Sequence, residues 1–307
     1  MTTDRALILS TAGEVLRRNH GLAHLQRFLE AGLTRNDVGH LRHLGAVLRP
    51  RIGWYLEPSA PPAAVEAVRV GGVLGCVAAA ESYGILIPDG LDGRNHVSLE
   101  PDTTRMRSSW DPGRHVHAGD DPTVRLHWDG RLEPVRGWRV SPADALLQMA
   151  QCTTVRWLTA AVDSARNESG GRPVMAPSAL PALRAALPSR LRDAIDRSDP
   201  LAEAVGETFI RLELGDRGIP CRSQGWLTSL YRTDVLADEW LPVESDGVKH
   251  HSGTAVVRDR ERDAVLAYLE RQPLRFTHRS AVHETAWVGD VVEQVWRRGA
   301  DSPIRMG

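Results

Sequence analysis

The side chains best suited to chemistry lie between Asp234 and His251: Asp234, Glu244, Asp246 and the run Lys249-His250-His251. Glu244 and Asp246 are two residues apart, so on an extended chain they point to the same side. Gly247 permits a sharp turn behind them. Carboxylates converging beside basic groups suit a hard, oxygen-preferring divalent cation, Mg2+ or Mn2+, and the hydrolysis of phosphodiesters. That reaction needs a cation to neutralise developing charge, a polarised water, and groups that hold the phosphate in line. Asp234 and Asp246 could ligate the cation, with Glu244 as a third ligand or as the base for the water. Three acids gathered beside apolar strand residues would repel one another without a counterion.

The stretch Glu244-Ser-Asp-Gly-Val-Lys-His250 resembles the Glu-aromatic-Asp-Gly-x-x-His hallmark of the small Vsr-like endonuclease domain, within the restriction-endonuclease-like superfamily. Flanking features are similar too. They are a helix with an acid (Glu207-Thr-Phe-Ile-Arg-Leu-Glu-Leu), an arginine-rich helix (Arg258 to Asp263) and a closing strand (Pro273 to Thr277). The resemblance covers roughly 199–300 and departs from the family at Ser245, where an aromatic is usual. It implies Glu207 as a supporting acid that completes the metal shell, His250 as the family histidine near the phosphate, and Lys249 in a position like the superfamily's catalytic lysine. Arg258, Arg260, Arg262 and Arg275 could hold the DNA backbone; the alternative for each is a solvated helix charge.

The elements that must deliver such a site begin at the other end of the chain. Apolar residues at helical spacing predict helices over 4–18 and over Leu22–Leu29. Thr34 caps a third helix, with Asp37 three residues on in a capping-box position. Two strand-like pieces follow, Ala46–Leu48 and Gly53–Leu56, joined by Arg49-Pro-Arg-Ile52. This is the layout of a winged helix-turn-helix, and it resembles the N-terminal module of abortive-infection-type antitoxins. The resemblance implies a third helix in the major groove, with Arg35, Asn36 and Arg42 near DNA and the hairpin arginines Arg49 and Arg51 on phosphates.

Three domains are expected: a winged helix over 1–57, an α/β adaptor over 64–197, and a restriction-endonuclease-like core over 199–307, together an α/β (α+β) multidomain chain. In the middle, Cys76–Leu86 resembles a helix of the same families. Short strands are predicted at His96–Leu99, His115–His117, Val124–Trp128 and Trp138–Val140, and helices at 143–150, 155–165, 179–186 and 189–195. The last region reads as a helix over Leu201–Leu214, strands over Gln224–Asp234 and Leu241–Glu244, a helix over Asp259–Arg271, a strand over Leu274–Thr277 and a helix over Trp287–Arg298.

Charge is nearly balanced, 38 basic against 39 acidic residues in 307, so any nucleic-acid surface must be a local patch. The three cysteines, Cys76, Cys152 and Cys221, are far apart and form no CxxC pair, which argues against a zinc knuckle or a disulfide framework. His115 and His117 alternate on a strand but lack a third ligand. No apolar run approaches the ~18 residues that span a bilayer, so a cytoplasmic protein with no membrane partner is expected. The function expected is a metal-dependent DNA endonuclease or nickase. The alternative is a DNA-binding, antitoxin-like regulator with an inactive nuclease-like domain. Double-strand cleavage from a single site would call for a homodimer; nicking would not.

Overall fold

The capping chemistry expected from the sequence starts several of the helices. In the computed structural model, which describes residues 2–128, 130–169, 172–228, 231–246, 266 and 271–300, the chain divides into two units. One comprises residues 1–153 with 178–187, the other 154–177 with 188–307. The secondary structure is mixed α and β. Among the described residues, no helix is long and apolar enough to cross a membrane.

The first unit opens with α1 (Thr2–Arg18), β1 (Leu22–His24), α2 (Leu25–Glu30), α3 (Arg35–His43), β2 (Leu48–Arg51) and β3 (Trp54–Leu56). The strands form an antiparallel sheet in the order β1-β3-β2. Phe28, Val38 and Leu41 are fully buried among Val15, Leu16 and Tyr55, so the apolar stripes of three helices close over one face of this sheet. Thr34 Oγ1 accepts the Asp37 amide (3.2 Å) and Asp37 Oδ2 accepts the Thr34 amide (2.7 Å), a complete capping box. The segment expected as one helix over Leu22–Leu29 is in fact two elements. Leu22–His24 pairs with Leu56–Trp54, and His24 then caps α2 by accepting the Gln26 amide. Local helical spacing could not register that pairing, which rests on residues some thirty positions away.

Next come α4 (Pro62–Val70), β4 (Val73–Leu74), α5 (Cys76–Ser82), β5 (Asn95–Ser98), the pair β6 (Met106–Arg107) and β7 (His115–Val116), β8 (Val124–His127) and α6 (Pro142–Met149). The β4-β5-β8 sheet is antiparallel at its first pair and parallel at its second. Ser141 caps α6 through the Asp144 amide, with Pro142 at the first helical position. The expected strand over Trp138–Val140 is reduced to isolated bridges of Arg139 with Leu74 and with Arg136, and Leu74 exchanges backbone hydrogen bonds with Trp138 and Val140. The chain then leaves as α7 (Val155–Arg166) and returns to this unit as α8 (Leu180–Ala186), which packs on α6.

The second unit holds α7, α9 (Asp193–Asp196), α10 (Val205–Asp216), β9 (Cys221–Thr228), β10 (Tyr231–Ala237), β11 (Leu241–Asp246), β12 (Leu274–Thr277), α11 (His278–His283) and α12 (Thr285–Ala300). Its sheet runs β12-β11-β10-β9, antiparallel except for the parallel pair β11/β12. Ile210 and Leu214 of α10, with Val288 and Val292 of α12, bury against Val235, Ala237, Leu241, Val243 and Phe276 of the strands. Gln224–Asp234, expected as one strand, spans the end of β9 and the start of β10, and the expected helix over Asp259–Arg271 falls, apart from Leu266 and Arg271, outside the described residues. The boundary expected near 197–199 lies inside this unit. Asp163 of α7 is buried against α10, where it accepts from Thr208 Oγ1 (2.8 Å) and Arg211 Nη2 (2.9 Å) and also takes the Asp199 amide (2.6 Å). A buried carboxylate so bound ties α7 to α10. At the far end of α10, Arg217 reaches Glu213, Asp290 and Glu293, each at 2.8–2.9 Å, and joins α10 to α12.

Candidate functional site

Glu207 is placed by the first turn of α10. It reaches back to accept the Glu203 amide (2.9 Å) and also accepts from Gln224 Nε2 of β9 (2.8 Å). The helix comes close enough because residue 206 is glycine: a Cβ there would lie 2.1 Å from Ser245 Oγ and 3.1 Å from Ala281 Cβ. Ser245, the departure from the resembled motif, is thus the small residue against which α10 seats. Glu207 is 4 % exposed. Burial above all, and then the nearby Asp234 and Glu203 charges, push its carboxyl up to about 7 against those two hydrogen bonds.

Asp234 stands where the β10/β11 ladder changes character. The paired register runs from Ala237↔Leu241 to Val235↔Val243. Beyond it, side chains take over: Asp234 Oδ2 accepts the Ser245 amide (2.9 Å) and Thr233 Oγ1 donates to the Val243 carbonyl (3.1 Å). Glu244 is buried in β11, with Tyr231 Oη donating to Oε1 and Arg275 Nε of β12 donating to Oε2 (3.0 Å). The parallel register Glu244↔Arg275 produces that ion pair. Asp246 ends β11, opposite Thr277, and is exposed. Of the acids expected to act together, Glu207 and Asp234 are therefore electrostatically coupled, Glu244 is held by Tyr231 and Arg275, and Asp246 opens to solvent. Tyr231 and Gln224 are contacts of these acids that the sequence does not assign, and Arg275, expected to hold the DNA backbone, here pairs with Glu244. Lys249, His250, His251, Arg258, Arg260 and Arg262 lie outside the described residues.

In the first unit, Arg35, Asn36 and Arg42 are exposed on α3, and Arg49 is exposed on β2. Arg51 is different. Its guanidinium donates to the carbonyls of Val70 (3.1 Å) and Arg105 (2.6 Å) and is half-buried. Through these contacts Arg51, expected on phosphate, anchors the β2–β3 hairpin to α4. Beside it lies a cavity of about 750 Å3 whose lining includes Arg18, Arg51, Arg105, Arg131 and Arg136, with Glu100 the one acid among the described lining residues.

The same unit contains a cluster that the motif reading overlooked. Cys76 at the start of α5, His96 of β5, His127 of β8 and Cys152 just beyond α6 place one donor atom each within 4.8 Å of one another. These four side chains can bind a metal ion. Among the described residues they are the one group of three or more His, Cys, Asp or Glu side chains that meets so closely. His96 Nδ1 lies 3.1 Å from His127 Nε2, with the rings stacked 5.2 Å apart, and Cys152 Sγ lies 4.0 Å from the same Nε2. Burial pushes the Cys76 thiol up, while hydrogen bonds from Cys76, His127 and His96 hold Cys152 well below the usual thiol range. A nitrogen–sulfur donor set does not suit Mg2+, so the oxygen-ligated cation expected from the sequence has no counterpart in this cluster. The absence of CxxC spacing, read as arguing against a cysteine metal site, does not prevent four possible ligands from converging in space. His115 and His117 are exposed and outside the cluster.

No family model matches the chain, and no curated protein matches it.

Proposed function

We propose that the chain is a metal-dependent DNA endonuclease or nickase, with the three-helix, three-stranded N-terminal module acting as a winged helix that carries it to DNA. One observation supports the catalytic half above others: helix α10 carries Glu207 beside a sheet whose neighbouring strands β10 and β11 carry Asp234, Glu244 and Asp246 and whose last strand, β12, returns parallel. A parallel return needs a crossover of a dozen or more residues, and the chain from 247 to 273 provides the length. In this reading Asp234, Glu244 and Asp246 hold Mg2+ or Mn2+, Glu207 completes the shell, and Lys249 and His250 meet the phosphate. The coupling of Glu207 to Asp234 is what a cation would relieve, since two carboxylates in a buried setting repel until a positive charge joins them.

The DNA-binding half draws support from the strand order β1-β3-β2 and from the exposed α3 residues Arg35, Asn36 and Arg42. Arg49 and the arginine-lined cavity extend the basic surface alongside the hairpin.

A second reading has its own observation. Both oxygens of Glu244 are engaged, one by a tyrosine and one by an arginine, so Arg275 supplies positive charge to the carboxylate that a cation would otherwise bind. That arrangement suits a DNA-binding regulator whose nuclease-like unit is inactive. Plasmid nicking with Mg2+ and with Mn2+ decides between the two. Conversion of supercoiled to open-circular DNA by the wild-type chain, abolished in Asp246→Ala, supports the enzyme. DNA binding without nicking under either metal supports the regulator.

A further inference from the structure

We propose that Cys76, His96, His127 and Cys152 form a closed, tetrahedral Zn2+ centre that staples the middle of the first unit and takes no part in catalysis. The geometry carries the assignment. With Zn–N near 2.05 Å and Zn–S near 2.3 Å, a tetrahedron has edges of about 3.3 Å between nitrogens and about 3.6 Å between nitrogen and sulfur. The observed 3.1 Å between His96 Nδ1 and His127 Nε2, and 4.0 Å between Cys152 Sγ and His127 Nε2, bracket those edges. All four donors lie within 4.8 Å of one another. Two thiolates and two neutral imidazoles around Zn2+ sum to zero charge, so the centre can be buried without a further counterion. Four protein ligands leave no open position for water or substrate, the arrangement of structural rather than catalytic zinc.

The backbone around each ligand is already fixed. Gln148 Oε1 accepts the Cys76 amide (2.9 Å) while its Nε2 donates to Ser98 Oγ (2.8 Å). The carbonyls of His96 and His127 accept from Gly75 (2.9 Å) and Leu99 (2.8 Å), and the Cys152 amide donates to the Met149 carbonyl (2.8 Å). Cys76 itself sits at φ +48°, a left-handed conformation that a non-glycine residue holds only where its surroundings over-determine it. The elements so joined are weak alone: β4, β6 and β7 have two residues each, and β5 and β8 have four. Such short strands form few ladder bonds, and one ion tying α5, β5, β8 and the turn after α6 supplies what they lack. Cys152, half-exposed, gives the ion its way in.

The test uses the full chain purified without chelators. Elemental analysis is expected to find one zinc per chain, retained in Asp246→Ala, which separates this centre from any nuclease cation. Replacement by Co2+ should give the intense visible bands of a tetrahedral thiolate site, lost in Cys152→Ser and in His127→Asn. Gln148→Leu keeps all four ligands, and its Co2+ and Zn2+ affinity should fall roughly ten- to a hundredfold, as for other residues that orient metal ligands. Chelator should expose two thiols to a labelling reagent, Cys76 and Cys152, with Cys221 labelling at the same rate before and after. Folded wild-type protein with no stoichiometric zinc and no cobalt bands overturns the proposal. So does an intact mass two hydrogens light that maps to a Cys76–Cys152 disulfide.

Discussion

Glu207→Gln isolates the electrostatic state of the acidic group. The substitution keeps the size of the side chain and an oxygen to accept the Glu203 amide, and removes only the ionisation. The carboxyl is pushed from 4.5 up to about 7, mainly by burial. The native state therefore holds this proton more tightly than the unfolded chain does. Stability from this group is full below the unfolded value, falls as pH rises through the interval from 4.5 to about 7, and is flat above it. At 1.36 kcal/mol for each tenfold change in proton affinity, the full cost is about 3 kcal/mol, of which about 2.5 kcal/mol develops between pH 5 and pH 9. Hydrogen exchange read on peptides covering α10 and β11 reports the opening free energy of this unit alone. The gain of Glu207→Gln over wild type should be about 2.5 kcal/mol larger at pH 9 than at pH 5. If Glu207 belongs to a cation's shell, saturating Mg2+ should remove most of that difference by replacing the proton. A gain that is the same at both pH values would refute the picture of a buried, proton-retaining carboxyl.

Other perturbations follow from contacts of the same kind. Asp163→Ala leaves Arg211 and Thr208 without their buried partner, and should cost about 3–5 kcal/mol in urea unfolding of the second unit. Gly206→Ala would gain up to about 1 kcal/mol of helix propensity, but the clash at Ser245 Oγ outweighs it; a net loss of about 1–3 kcal/mol is expected, largely restored in the Ser245→Gly background. Thr34→Ala removes one half of the α3 capping box and should lower the stability of the first unit by about 1 kcal/mol. If Arg42 or Arg49 contacts a phosphate, its replacement by alanine should reduce the slope of log affinity against log salt by about 0.9, whereas Arg51→Ala should act mainly on thermal stability.

What the sequence revealed divides along physical lines. Caps are local, and Thr34 and Ser141 start the helices their spacing predicts. The strand Leu274–Thr277 has the bounds expected for it. Leu22–His24 was misread because a three-residue strand adds no periodicity of its own, only partners in β3. Gln224–Asp234 was misread because both sides of a hairpin share the composition of one long strand. Among the candidate site residues, Asp234, Glu244 and Asp246 were recognised as a pattern. That Arg275 would come to lie on Glu244 depends on the parallel β11/β12 register, which no residue spacing encodes.

The Cys/His cluster shows the same limit in sharper form. Familiar zinc motifs are legible because a single turn or hairpin carries two ligands, which fixes their spacing. Here each ligand comes from a different element, and the two histidines meet only because β5 and β8 pair in parallel with Ser98 opposite His127, so that His96 and His127 sit diagonally across the pair. The intervening β6–β7 excursion separates them by thirty-one residues. The signal that was present is compositional: two of three cysteines and two histidines, each on or next to a short apolar strand or helix that has every reason to be buried. A buried cysteine alone is ordinary and a buried histidine needs only one partner. Four of them with donor atoms converging within 4.8 Å of one another is a stronger statement about a soft cation than any linear spacing, and it becomes visible only once the parallel pair has formed.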